Sequence, residues 1–329
     1  MVTFPSFALV ERRIRCSDVD QVRVMPVNST FHSHSTGYAT LLGVIACVVW
    51  SSAVLVMSVL ADRFGMLRAA GLELCLGGFI LIIATILRGD IPSIMRHSTR
   101  CYLVCGSMWI ANLILAWTAV ATAKTSGHLL VTGLINYLWP SLTLLLAIPI
   151  LGKKAKWWLA PGLVAVSIGI ALGKLSTAPE VTLSALVSDF NALSYLCAAM
   201  DAVAWALYSN YARKLSNPQG SSPIALYMTA AGVLILGASC LTDTRLAPSW
   251  GSWLLVVSWS CVAALSYLFW DIGMRRGNVI TISTTSMLIP LLSTIITAIF
   301  SGHGISVSIF IAGALVVVGS WICKQGVTD

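Results

Sequence analysis

The sequence predicts an all-α integral membrane protein, with ten transmembrane helices forming two inverted-topology five-helix repeats. Three observations carry this expectation. First, 57% of the 329 residues are hydrophobic and 10% are charged, with a mean hydropathy of +0.88; a soluble domain has roughly a quarter of its residues charged. Second, the apolar residues fall in ten runs of about 20, each expected to be long enough to cross a hydrocarbon core of ~30 Å. They lie near 38–60, 66–87, 101–122, 126–149, 157–174, 191–212, 223–241, 251–272, 279–300 and 304–323. Third, the second half retraces the first. At an offset of 150, Pro140 falls on Pro290, Gly152 on Gly302, Gly169 on Gly319 and Lys174 on Lys324. Slightly larger offsets place Trp50 on Trp205 and Trp117 on Trp270. Five spans per half is an odd number, so the halves enter the membrane in opposite orientation, as in many secondary transporters.

The formal net charge of +8 invites a nucleic-acid reading, and the placement of the charges argues against it. Of the 20 Lys and Arg, 15 fall in segments on the side of the N-terminus. The other five are Arg63, Arg68, Lys124, Lys174 and Arg245. That bias predicts cytoplasmic N- and C-termini. Cys47, Cys75, Cys101, Cys105, Cys197, Cys240 and Cys261 lie within the apolar runs, with no CxxC pair and no His/Cys spacing that suits zinc. They read as small packing residues, and the sequence calls for no metal and no cofactor.

In chain order, 1–36 reads as a cytoplasmic N-terminal tail; its apolar start, Phe4–Val10, is too short for a signal segment. Residues 37–175 form the first repeat, 176–190 an outer connecting loop carrying Pro179, Glu180 and Asp189, 191–324 the second repeat, and 325–329 a cytoplasmic C-terminal tail. The first run carries Trp50 at mid-span, and the second holds Glu73 near its outer end. In the third, Trp109 and Asn112 are three apart and share a face. The fourth contains Asn136-Tyr137-Leu138-Trp139-Pro140. Pro140 has no N–H, so the carbonyl of Asn136 loses its helical partner, and Pro290 does the same to Ser286. An unpaired carbonyl is costly in lipid, so both sites should face protein or a water-filled cavity. Pro140 and Pro290 are the candidate hinges. Trp157 and Trp158 mark the interface at the start of the fifth run, and Gly169 with Gly173 gives a small-xxx-small spacing for close packing.

No nucleophile–base pair, phosphate loop or metal-ligand cluster stands out. His32, His34, His97 and His303 are peripheral, and His128, at the outer start of the fourth run, is either a satisfied interfacial residue or a gate. Asp271 has Arg275 at i+4 and is expected to pair with it. Glu73 is expected to reach water and is a candidate proton or cation site. Asp201 sits halfway along the sixth run, where a carboxylate costs about 2.5–3.5 kcal/mol and should face an interior cavity. Asp201, Trp205 and Tyr208 share one helix face. Asp201 either attracts a substrate ammonium or takes up a proton; the plain alternative is a carboxylate hydrogen-bonded to a neighbouring helix. Trp50, Trp109, Trp139, Trp205, Tyr137, Tyr208, Tyr267 and Trp270 lie deep in the runs. Each alone reads as core, and together they suit a cavity for an apolar or aromatic side chain and an ammonium group. Thr281, Thr284 and Thr285 could hold a carboxylate or bond back to their own helix.

The Asn136–Thr143 run NYLWPSLT, Leu193-Ser194-Tyr195, Trp205-Ala206-Leu207-Tyr208 and Gly277-Asn278-Val279 resemble the YddG-type aromatic amino acid exporters. Those belong to the drug/metabolite transporter superfamily and carry two EamA-type repeats. The resemblance covers nearly everything after residue 36. It implies a bacterial inner-membrane protein that exports aromatic and other neutral amino acids through a central cavity lined by the first, third, fourth, sixth, eighth and ninth helices. Asn136, Tyr137, Trp139, Pro140, Trp205 and Tyr208 occupy matching motif positions. Asp201 and Glu73 depart from the pattern, and an acid in the cavity would admit cationic substrates. The candidate substrate-binding set is Trp50, Trp109, Asn112, Asn136, Tyr137, Trp139, Asp201, Trp205, Tyr208, Tyr267, Trp270 and Thr284. The expected partners are amino acid substrates and the lipid bilayer, with no nucleic acid. A carrier of phosphorylated metabolites would want Lys or Arg at a span centre, and an integral-membrane enzyme a clustered acid/base or metal constellation; neither feature is present in the runs.

Overall fold

The computed structural model describes residues 29–176, 190–217, 220–241, 248–300 and 307–328. Pro179, Glu180, Asp189, Arg245, Gly302 and His303 lie outside the described residues.

The helices in order are α1 (Ser29–Phe64), α2 (Met66–Leu87), α3 (Ile91–Ile94), α4 (Thr99–Thr122), α5 (Ser126–Asn136), α6 (Trp139–Leu151) and α7 (Leu159–Leu175). The second half holds α8 (Ala192–Leu215), α9 (Ile224–Ser239), α10 (Trp250–Arg276), α11 (Val279–Ser286), α12 (Ile289–Phe300) and α13 (Val307–Gly326). Polar N-caps fix several starts: the side chains of Ser98, Thr125, Asn191, Ser249 and Asn278 accept from backbone N–H groups in the first turns of α4, α5, α8, α10 and α11. Between α1 and α2 a single residue reverses the chain; it is Gly65, at φ +79°, a conformation side chains disfavour. Helix α1 starts at Ser29, inside the stretch read as an N-terminal tail.

Among the described residues, eight helical units are long and apolar enough to cross a membrane, with α5–α6 and α11–α12 each counting as one unit. Helices α7 and α9 are apolar but shorter, at 17 and 16 residues. The runs at 126–149 and 279–300, expected as bent helices, are each split in two. The break hydrogen bonds match residue for residue at the offset of 150: Leu138 N–H donates to Ile135 O and Leu142 N–H to Leu138 O, as Leu288 does to Thr285 and Leu292 to Leu288. The cause is common, a proline one residue into α6 and one into α12.

Packing repeats the same symmetry. The most extensive contacts are α7 with α13, α2 with α9, α4 with α8 and α1 with α10. Exchanging the halves maps this set onto itself. At the α7–α13 crossing, a Cβ on Gly169 would lie 2.8 Å from Ala312 O and 2.7 Å from Val316, and one on Gly319 would lie 2.8 Å from Gly162 O and 2.9 Å from Val166. Both backbones approach too closely for any side chain, as the small-residue spacing predicted. Among the described residues, the one departure from an all-α chain is a two-residue antiparallel pair, β1 (Lys154–Ala155) with β2 (Val327–Thr328). It ties the C-terminal stretch, expected as a tail, to the loop after α6.

Candidate functional site

The sixth run delivers α8, whose buried face carries Asp201, Trp205 and Tyr208. The spacing anticipated this, because i, i+4 and i+7 stack on one side of a helix. Asp201 is 1% exposed. Its Oδ1 accepts from Asn112 Nδ2 of α4, and its Oδ2 from Asn136 Nδ2, at the end of α5, at 2.5 Å. Three predicted residues from three helices thus meet at one carboxylate. Two amide donors make its burial tolerable, and a carboxylate with about four acceptor positions retains capacity for a further donor.

One turn along α8 the aromatic residues gather. Trp50 lies 5.6 Å from Trp205, 5.4 Å from Tyr267, 5.2 Å from Trp270 and 6.4 Å from Trp139, between ring centroids. Trp109 sits against Tyr267 at 5.7 Å, and Trp205 against Tyr208 at 5.4 Å. Most are edge or tilted contacts, favoured by the ring quadrupoles. The indole N–H of Trp270 donates to Ser209 Oγ, whereas those of Trp109 and Trp205 are buried without a protein acceptor. Tyr208 O–H donates to Asp271 Oδ1, and Asp271 also pairs with Arg275 at 3.3 Å, the i+4 ion pair expected from the sequence.

A cavity of ≈ 390 Å³ opens between α1, α4, α5, α7 and α8. Of the predicted residues, Asn136, Tyr137 and Asp201 line it, and the tryptophans do not. The expected pocket is therefore divided: Trp50, Trp139, Trp205 and Trp270 pack edge-on or tilted against one another beside a polar cavity. Tyr137 stands apart from the aromatic cluster because it falls at the break after α5, and the Lys174 ammonium lies 5.0 Å over its ring. Lys174, the lone charge of α7, also lines the cavity. Its position along the chain makes it an outer-side charge and the repeat mate of Lys324; its place in the final turn of an apolar helix is the available sign of the cavity role.

Other expectations change. Glu73 does not reach water: it is 8% exposed and accepts from Trp259 Nε1 at 3.1 Å, because α2 turns that face onto α10. Thr284 donates to Ile280 O at 2.8 Å, so its hydroxyl is satisfied within its own helix. His128 is buried, with Nδ1 accepting from Lys124 N–H at the start of α5. His97, read as peripheral, is a buried organiser of the loops: Nδ1 accepts from Asn217 N–H at 3.0 Å and Nε2 donates to Ser221 O at 2.8 Å. That pattern fixes a neutral imidazole. Burial, reinforced by the Arg275 charge, pushes its pKa below the ordinary histidine range.

Apolar helices broken at matched prolines, with an acid buried beside a cavity at mid-span, are the architecture of a multi-pass membrane transporter. The comparisons narrow this class. Residues 37–173 and 192–323 match the EamA-like transporter family, and the chain belongs to it. The "Aromatic amino acid exporter YddG" of Salmonella typhimurium is 29% identical over 293 residues, covering 87% of this chain and 96% of the relative. The protein of that name from Escherichia coli strain K12 is 28% identical over 294 residues, again 87% of this chain and 96% of the relative. That from Ancylobacter novellus is 28% identical over 292 residues, with the same coverage. A crystal structure superimposes with a TM-score of 0.71 at 23% identity, covering 88% of this chain and 98% of the other, a likeness of fold alone.

Proposed function

We propose that the protein is a secondary transporter of the bacterial inner membrane that exports aromatic and other neutral amino acids by alternating access. The observation that carries the reading is the cavity holding both Asp201 and Lys174. A zwitterion needs an acid for its α-ammonium and a base for its α-carboxylate, and this cavity offers both. Its volume falls within the ≈ 300–1,000 Å³ typical of small-molecule sites. The names of the relatives point to the same cargo.

In this reading all ten helical units span, α7 and α9 at roughly 24–26 Å by a rise of 1.5 Å per residue, within reach of a locally thinned bilayer. Both termini are then cytoplasmic, and the cavity, with Lys174 at its rim, opens to the outside. The mutually packed rings of Trp50, Trp139, Trp205 and Trp270 close the inner path. Rocking of one repeat against the other, with bending at Pro140 and Pro290, would part those rings and admit a substrate side chain among them. The orphaned indoles of Trp109 and Trp205 then gain partners. The buried carboxylate favours one further cargo class, cationic amino acids.

The test is counterflow of radiolabelled phenylalanine, methionine, threonine and lysine in proteoliposomes, with the wild type and Lys174→Met. Saturable exchange of at least one neutral amino acid is expected, weakened in the variant by roughly tenfold or more for the loss of a charged hydrogen bond of about 1.5–3 kcal/mol. If no label exchanges above empty vesicles, the amino acid assignment is wrong.

A further inference from the structure

Against α2, α9 and α10, sharing no lining residue with the Asp201 cavity, lies a second concavity, of ≈ 290 Å³, that transport does not explain. One end is basic. Arg88, Arg275 and Arg276 all line it, with Asp90 the one acid among the lining residues, and the Ser221 and Ser222 hydroxyls beside them. Apart from Thr85 the rest is apolar, with walls of Ile80, Leu81 and Ala84 from α2 and Leu265, Leu268 and Ile272 from α10.

The arginine end is built rather than incidental. Arg275 is 8% exposed, and its guanidinium donates to Gly220 O at 2.7 Å, to Asn217 O at 3.0 Å and to Asp271 Oδ2 at 3.3 Å. Its Nε is buried with no protein partner. Arg276 Nη2 also donates to Gly220 O, at 3.0 Å, while its side chain stays exposed. Arg88 is exposed at the end of α2. The carbonyls of Asn217 and Gly220 therefore hold two guanidinium groups together, and the neutral His97 adds no charge of its own.

The dimensions select the occupant. From Arg88 back to Ile80 is eight residues of helix, about 12 Å, and from Arg276 back to Cys261, the farthest lining residue of α10, is fifteen, about 22 Å. One leaflet of hydrocarbon is about 15 Å deep. The two walls thus bracket the depth of one leaflet from the arginines, and Leu265, 46% exposed, shows that the trough opens sideways rather than into the core. We infer that this groove between α2 and α10 binds an anionic phospholipid, with the headgroup phosphate on Arg88 and Arg276, oriented by Arg275, and one acyl chain along the apolar walls. The three arginines belong to the cytoplasmic set of the charge bias, where basic interhelical pockets take anionic headgroups. A free phosphate would use the arginines and leave the apolar trough without a role.

Native mass spectrometry of the full chain in detergent tests this with phosphatidylglycerol, phosphatidylethanolamine and inorganic phosphate as probes. Phosphatidylglycerol is expected to be retained at least tenfold better than phosphatidylethanolamine. Arg88→Gln with Arg276→Gln should reduce that retention at least tenfold, and Ala84→Phe, which fills the trough and leaves the arginines, should reduce it similarly. If the double variant does not fold, Ala84→Phe alone decides. Equal retention of the two lipids, a variant that binds like wild type, or displacement of the lipid by millimolar inorganic phosphate would each overturn the assignment. Transport plays no part in the readout, so failure here leaves the proposed export untouched.

Discussion

Replacing Asp201 with Asn tests the heart of the site. The wild-type carboxylate accepts from Asn112 on one oxygen and Asn136 on the other. An asparagine offers one acceptor oxygen and turns an NH2 toward the other amide, so one charge-assisted bond is exchanged for a donor facing a donor. Each bond to a charged group contributes about 1.5–3 kcal/mol, and each 1.4 kcal/mol is tenfold in an equilibrium. If the same carboxylate also holds the substrate ammonium, the half-saturation concentration for phenylalanine should rise about 10- to 150-fold in proteoliposome counterflow. Competition by phenylpropionate, which lacks the ammonium, should change less than threefold. The pH profile is read in the same assay, since a carboxylate that cycles its proton would flatten it on replacement. A variant that folds, with half-saturation within twofold of wild type, would refute the ammonium role. An unchanged pH profile would remove Asp201 as a proton-coupling residue.

Two further outcomes are expected. Gly169→Ala forces a methyl against Ala312 O and Val316 at the α7–α13 crossing; overpacking of about 1–3 kcal/mol should lower the thermal midpoint in detergent by at least about 2 °C. Gly237→Ala, which meets nothing within 4 Å, should not lower it. His97 has a folded-state pKa below its unfolded value near 6.5. Its neutral form therefore contributes stability in full above about pH 6.5, and that contribution is lost as pH falls from there toward the folded-state pKa. The midpoint should drop between pH 7.5 and 5.5, and His97→Asn should show a shallower drop; equal slopes would exclude the histidine as the source.

What the sequence determined by itself was local and periodic. Apolar runs of membrane length, the positive-inside bias, the prolines at 140 and 290, the i+4 pair of Asp271 with Arg275 and the shared face of Asp201, Trp205 and Tyr208 all follow from spacing along one chain, and the structure carries the helices, the breaks, the pair and the face. The repeat was equally legible, since a matched proline reproduces the same turn hydrogen bonds 150 residues on. Only the tertiary structure decided which faces meet. Asn112 and Asn136 were candidates, but their convergence on Asp201 needs α4, α5 and α8 to pack together. Glu73 finds Trp259 186 positions away. His97 gains its partners from the loop before α9. The deep aromatic residues, read as one pocket, separate into a cluster of edge and tilted ring contacts and Tyr137 under Lys174, because the Pro140 break turns that residue toward α7. Helical periodicity states which side of a helix is apolar or polar; the partner across the interface is chosen by packing and polar satisfaction between distant segments. Asp201 could be singled out from the sequence because an acid at mid-span is rare on its own helix, whereas Lys174 joins its cavity only through the packing of α7 against α5 in the folded bundle.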